Sequence, residues 1–139
     1  PGQVITELLK KAERAVKGLM GGMGGRYLVD EFRRGSCGTM PAGHITDAHV
    51  KLWNALENGG VDEDGLQIVT DEARGIWEQM IPSLNFEFMF GVNAYKAAYW
   101  RRGIIRTPLT RNPANKSLDK LDYEELDKIL DRMSDLLYR

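Results

Sequence analysis

Twice within the first sixty residues a short apolar stretch runs into a glycine- or proline-containing loop and then into an amphipathic helix, and after Asn58-Gly59-Gly60 that cadence stops. Such alternation is the mark of β/α units with parallel strands, and parallel strands are normally buried on both faces. Two units alone therefore leave faces and edges that something else must cover. In the first unit Lys17-Gly18-Leu19-Met20 reads as a short strand, Gly21-Gly22-Met23-Gly24-Gly25 as its loop, and Arg26 to Arg34 as a helix through Tyr27, Leu28, Glu31 and Phe32 that stops at Gly35. In the second, Cys37 to Ala42 holds a strand near Gly38 to Met40, ended by Pro41, which has no N–H for a ladder. A helix follows with the stripe Ile45, Ala48, Leu52, Ala55 and Leu56, capped by Thr46 or Asp47. An amphipathic helix from Gln3 to Val16, with Ile5, Leu8, Leu9, Ala12 and Val16 on one face, precedes both.

Beyond Gly60 the pattern predicts helix almost throughout. An acidic loop spans Val61 to Gly65, helices cover about Asp71 to Leu84 and Phe86 to Arg102, and Pro82 marks a bend or boundary between them. The second of these is apolar on nearly every side (Phe86, Phe88, Met89, Phe90, Val92, Tyr95, Tyr99 and Trp100), which predicts burial all round or an interface. A linker from Arg106 to Leu121 carries Pro108, Asn112, Pro113 and Asn115. The last helix, Tyr123 to Tyr138, has the stripe Leu126, Ile129, Leu130, Met133, Leu136 and Leu137, with Asp122, Glu124 and Glu125 where the helix dipole favours acids.

Charge and cysteine content narrow the function classes. Nineteen basic against twenty acidic residues leave a net charge of −1, so no basic field favours nucleic acid or an acidic membrane surface. Cys37 is the single cysteine, no apolar run approaches the roughly 20 residues of a membrane span, and no signal-peptide pattern opens the sequence, so the expected setting is cytoplasmic. A start at Pro1 is expected to mean residues upstream, unless an initiator Met has been removed.

Several residue groups invite a chemical reading. Loop glycines between a strand and a helix let a ligand approach the backbone, or simply form a tight turn; Gly22 and Gly24 give G-x-G, but Tyr27 stands where the dinucleotide fingerprint needs its third glycine. His44 and His49, five apart, point about 140° apart on a helix, so no shared metal is expected; His44 is either a helix-entry polar residue or a group facing a site at the end of the second strand. Cys37 lacks a partner for nucleophilic chemistry and is expected to be buried packing. Arg101, Arg102, Arg106 and Arg111 beside Tyr99 and Trp100 form a basic cluster that reads more economically as helix C-terminal stabilisation than as a nucleic-acid site.

Motifs in a particular order give the chain a resemblance. Lys17 to Gly25, with G-G-M-G-G, looks like the seventh barrel strand and glycine-rich turn of the dihydrodipicolinate synthase and N-acetylneuraminate lyase family. Leu28 to Met40, L-V-D-E-F-R-R-G-S-C-G-T-M, is similar to that family's next helix, G-A-x-G turn and eighth strand. Asn93 and Lys96 in G-V-N-A-Y-K-A-A-Y resemble its N-P-x-x-K helix, and Arg102-Gly103-Ile104-Ile105-Arg106 with Pro108 resembles the following turn. The resemblance spans essentially the whole chain and implies an α/β fold: residues 1–60 as the last two β/α units of a (β/α)8 TIM-type barrel, and residues 61–139 as a C-terminal helical extension, the whole predominantly helical. A complete barrel needs roughly 250 residues, so the rest of it is expected outside this sequence.

The resemblance further implies a lyase that forms a Schiff base between a lysine and a pyruvate-type 2-keto acid. On the family's layout that lysine belongs to the sixth strand, upstream of Pro1; Lys96 matches a tail-helix position, and Lys10, Lys11 and Lys17 precede the seventh strand, so no catalytic residue is expected in this chain. Gly22, Met23 and Gly24 match the stretch bordering the keto-acid pocket, and Met40 matches an eighth-strand residue whose carbonyl lies near lysine and substrate. Gly24 and Gly25 stand where many relatives have acidic residues, which leaves 2-keto-3-deoxy acid aldolases or dehydratases open. The expected partners are a small 2-keto acid, the remaining barrel portion and further copies of the chain; no cofactor, metal, nucleic acid or membrane is expected. A dead half-barrel that pairs with itself and a helical interaction module are the alternatives.

Overall fold

A computed structural model describes residues 2–12, 15–111 and 117–138, and these are mostly helical. Six α-helices follow in order: α1 (Gly2–Ala12), α2 (Leu28–Arg33), α3 (Thr46–Glu57), α4 (Asp71–Phe90), α5 (Val92–Arg101) and α6 (Lys120–Arg132). Short 3-10 turns at Met23–Gly25 and Gly43–Ile45 lead into α2 and α3.

The two predicted strands do not form as strands among the described residues. A single parallel bridge instead joins Gly21, which the sequence places in the loop after the first strand, to Thr39 of the second. Cys37 N donates to Leu19 O (2.8 Å), Gly21 N to Gly38 O (2.8 Å) and Met40 N to Gly21 O (3.0 Å). The parallel sense is as predicted, but the pairing is shorter and begins later than Lys17. A two-stranded pair has an open edge on each side and no neighbour to extend its ladder, so only the central residues hold.

Other boundaries move for local reasons. The first helix stops at Ala12; Glu13 and Arg14 lie outside the described residues, and exposed Val16 sits in a turn with no core to reward continuation. Pro82 does not divide α4 but lies inside it, and the break falls at Gly91 (φ 53°, ψ −126°), a conformation that favours glycine. An interior proline forfeits one backbone bond, and α4 offsets that by burying Met80, Ser83, Leu84 and Phe86. Asp62 organises the acidic loop: its Oδ1 accepts from Asp64 N and Leu66 N, and Val61 and Gln67 form an antiparallel bridge. The last helix starts early at Lys120, because Asp119 and Asp122 form a reciprocal capping box, and ends at Arg132. Of the linker, Asn112, Pro113 and Asn115 lie outside the described residues.

One hydrophobic cluster joins both segments of the chain. Leu28 and Phe32 of α2, Leu52 and Leu56 of α3, Met80 and Leu84 of α4, Ala97 and Ala98 of α5, and Leu126 and Ile129 of α6 all belong to it. The apolar stretch after Phe86 is only partly covered: Phe86 is buried, whereas Phe88, Met89 and Val92 are exposed. No helix among the described residues is long and apolar enough to cross a membrane.

Candidate functional site

The glycine loop holds three consecutive positive-φ residues, the longest such run among the described residues. Met23, Gly24 and Gly25 take φ of 54°, 68° and 83° in succession, a left-handed run in which Met23 is the one non-glycine residue with positive φ among the described residues. A non-glycine residue there is strained, and such strain concentrates at functional sites. The two glycines are fixed by close neighbours. A Cβ on Gly24 would lie 2.5 Å from Glu87 Oε1, and one on Gly25 would lie 2.5 Å from His49 Nε2. Gly22 differs, since a Cβ there would meet nothing within 4 Å.

Through the Gly21–Thr39 bridge, the exits of the two paired segments lie side by side. Gly22, Met23 and Gly24 therefore start next to Met40, whose side chain is 65% exposed, while that of Met23 is 59% exposed. On the far side of the turn a cleft of about 350 Å³ opens towards the α4–α5 junction, lined by Met23, Gly24, Arg26, Glu87, Phe88 and Tyr95. Arg26 closes its rim, donating from Nη2 to Leu84 O (2.6 Å) with the guanidinium 4.5 Å from the Phe88 ring centroid. The Trp77 indole donates to Arg26 O (3.3 Å), tying this corner to α4.

Behind the turn lies a polar cluster in which His44 and Ser83 are buried and Glu87 and Tyr95 are half-buried. His44 Nε2 is 3.4 Å from Ser83 Oγ and 3.9 Å from Glu87 Oε2, and its ring centroid is 5.5 Å from that of Tyr95. Tyr95 OH donates to Glu87 Oε1 (3.4 Å). Among the described residues, His44 Nδ1 and Glu87 Oε2 are buried without a hydrogen-bond partner. Burial pushes the Glu87 carboxyl above the usual carboxylate range, against the Tyr95 hydrogen bond and Arg26, and burial likewise raises the Tyr95 phenol. Burial first, then His49 and Arg102, lower His44 to about 4.

The His44 shift has a measurable consequence. Above pH 6.5 the ring is neutral in both folded and unfolded chains; between about 6.5 and 4 only the unfolded chain binds its proton, so stability falls as the solution is acidified through that window. Two and a half units correspond to about 3 kcal/mol. Glu87 and Glu31, both raised by burial, act with the opposite sign: the protonated forms favour the fold, and that contribution is lost as pH rises through their folded values. Urea denaturation at pH 7 and pH 4.5 should show a smaller acid-induced loss in His44→Asn than in the parent; an equal loss would place the titration elsewhere.

Several expectations are corrected. Cys37 is exposed rather than buried, because its backbone serves the bridge while its Sγ donates outward to Leu19 O (3.2 Å). Neither Thr46 nor Asp47 caps α3 through its side chain: Thr46 Oγ1 donates to Gly43 O, and Asp47 is taken up by Arg102 and by Tyr138 N (2.7 Å). His44 stands at a helix entry, as one reading had it, but is buried against Glu87 instead of solvated. Arg101 pairs with Asp127 (2.8 Å) and stacks on Trp100 and Tyr123, so two of the clustered arginines serve tertiary packing. Among the described residues no group of three or more His, Cys, Asp or Glu could hold a metal ion. Glu87 is not among the residues the sequence singles out, although a lone acid within the apolar run N-F-E-F-M-F is the signal for it, and Tyr95, counted there as one of the apolar residues, uses its hydroxyl on Glu87.

No protein-family profile matches the chain, and no curated protein sequence matches it. Among solved structures, the chain is similar to dihydrodipicolinate synthase from Rhodopseudomonas palustris, with a TM-score of 0.76 and 24% sequence identity over 94% of this chain and 42% of that one. The likeness is one of fold: the chain is built like a part, less than half, of a dihydrodipicolinate synthase.

Proposed function

We propose that this chain is the C-terminal part of a Schiff-base lyase acting on pyruvate-type 2-keto acids, carrying out an aldolase or dehydratase reaction. Residues 1–60 are then the last two β/α units of a (β/α)8 barrel, and residues 61–139 its helical extension. The carrying observation is the parallel Gly21–Thr39 bridge, which sets the strained glycine turn beside Met40 at the exits of two adjacent parallel segments. In barrels of this kind, ligands are met at the C-terminal ends of the strands. Gly22, Met23, Gly24 and Met40 border the keto acid in this reading, with Gly22 leaving the space a substrate would need. The nucleophilic lysine comes from the remaining barrel portion, a small 2-keto acid is the ligand, the complete protein is a cytoplasmic homo-oligomer, and no cofactor is required.

In the reaction the lysine amine condenses with the keto carbonyl, water leaves, and the resulting iminium withdraws electrons from the neighbouring carbon. This chain's part is to shape the pocket wall and exclude water. Borohydride reduction in the presence of pyruvate tests the reading. The 139-residue chain alone should gain no reduced pyruvate adduct, and a protein that also carries the preceding barrel units should gain one. One observation favours a competing reading, a helical interaction module: the described residues already share a continuous core of their own. No adduct from the longer protein would favour that module or a dead half-barrel.

A further inference from the structure

His49 of α3 is buried, and both of its ring nitrogens face main-chain carbonyls: Nδ1 lies 3.0 Å from Ile45 O, and Nε2 lies 2.9 Å from Gly24 O. A neutral imidazole has one N–H and satisfies one of them; the imidazolium donates to both. Ile45 is the N-cap residue of α3, so its carbonyl already accepts the first intrahelical bond. The neutral ring's proton therefore belongs on Nε2, facing Gly24. The same ring packs on Gly25, where an added Cβ would meet Nε2 at 2.5 Å. Glu87 presses on Gly24 from the other side, so the turn is held between α3 and α4.

We propose that His49 is the positioning residue of the Met23–Gly25 turn, latching the Gly24 carbonyl through Nε2–H, and that protonation at Nδ1 closes the second bond to Ile45 O and so couples the turn to pH. The charged and titratable groups that act on the ring are Asp47 on α3 and His44 before it, while Glu87 of α4 faces the same turn at Gly24. Burial holds the ring below the usual imidazole range, opposed by the two carbonyls and Asp47, so at neutral pH the single Nε2–H bond does the holding. The latch stands on this geometry alone; only its bearing on keto-acid binding rests on the lyase reading.

Long-range ¹H–¹⁵N spectra of the histidine rings, recorded with the amide spectrum of the ¹⁵N-labelled 139-residue chain from pH 8 to pH 4, test it. At pH 8 His49 should be the Nε2–H tautomer. On acidification Nδ1 should gain its proton, and the Gly24 and Gly25 amides should shift with the same midpoint, separate from that of His44. In His49→Gln that amide step should vanish while His44 still titrates. An Nδ1–H tautomer at pH 8, glycine amides that stay still through the His49 titration, or a step that persists in His49→Gln would overturn the latch. Should the variant fail to fold, the parent's tautomer and shared midpoint decide the matter. Pyruvate trapping plays no part in these readouts, so the latch and the lyase reading can fail separately.

Discussion

Truncating Arg102 to alanine is expected to lower the unfolding free energy by about 2–4 kcal/mol, between the about 0–1 kcal/mol of an exposed pair and the about 3–5 kcal/mol lost when one partner of a fully buried pair is removed, since the Arg102 and Asp47 side chains are 13% and 9% exposed. Arg102 follows α5 and holds Asp47 of α3, with Nη1 3.3 Å from Asp47 Oδ1 and Nη2 on Oδ2. It also donates to His44 O and, over 3.0 Å, to Tyr138 O, while Tyr138 N donates to Asp47 Oδ2 (2.7 Å). Two distant stretches of chain, His44 to Asp47 and the one at Tyr138, therefore converge on one guanidinium, and its loss leaves a mostly buried carboxylate without its cation. Arg101 is the internal control. Its pair with Asp127 is 33% and 48% exposed, and exposed pairs contribute about 0–1 kcal/mol, so Arg101→Ala should cost far less than Arg102→Ala. Urea midpoints at unchanged m-value would measure both, and equal losses would contradict the account of the Arg102 junction.

Replacing Gly25 by alanine should cost about 2–5 kcal/mol, combining roughly 1–2 kcal/mol for an L-residue held at positive φ with about 1–3 kcal/mol for overpacking. The conformation is φ 83°, and the new Cβ would lie 2.5 Å from His49 Nε2 and 2.8 Å from Cδ2, a buried imidazole ring whose Nε2 lies 2.9 Å from Gly24 O and whose Nδ1 lies 3.0 Å from Ile45 O, with little room to swing aside. Gly22→Ala provides the contrast. Gly22 has φ −123° and open space at its Cβ, so that substitution should change stability by under about 0.5 kcal/mol while narrowing the space beside Met40. If the two variants melted alike, the glycine turn would not be held from behind as described.

The two cases also show where the sequence was legible. Helical spacing located α3 through Ile45, Ala48, Leu52, Ala55 and Leu56, because a stripe facing a core is a local property of the chain. Gly35 stopped α2 as expected, since a residue at φ 92° must be one that tolerates it. The paired segments were legible in place and direction but not in extent, because ladder length depends on neighbours that spacing does not encode. Pro82 misled, because the packing of α4 outweighs a local preference that is strong in isolation. Of the site, the glycine turn was readable as a loop. Its supports were not: Glu87 lies 63 positions beyond Gly24 in the chain, and His49 lies 24 beyond Gly25, so only folding brings them together.

The place of covalent capture tests most directly the proposal that Gly22, Met23, Gly24 and Met40 wall a keto-acid pocket whose lysine lies outside these residues. A protein comprising this chain and the preceding barrel units, reduced with borohydride in the presence of pyruvate and then digested, should carry its adduct on a single lysine outside these 139 residues. Gly22→Ala should weaken pyruvate's ability to form that adduct without unfolding the protein. An adduct on Lys96, or on Lys10, Lys11 or Lys17, would contradict the account, and so would the absence of any adduct from a folded, longer protein.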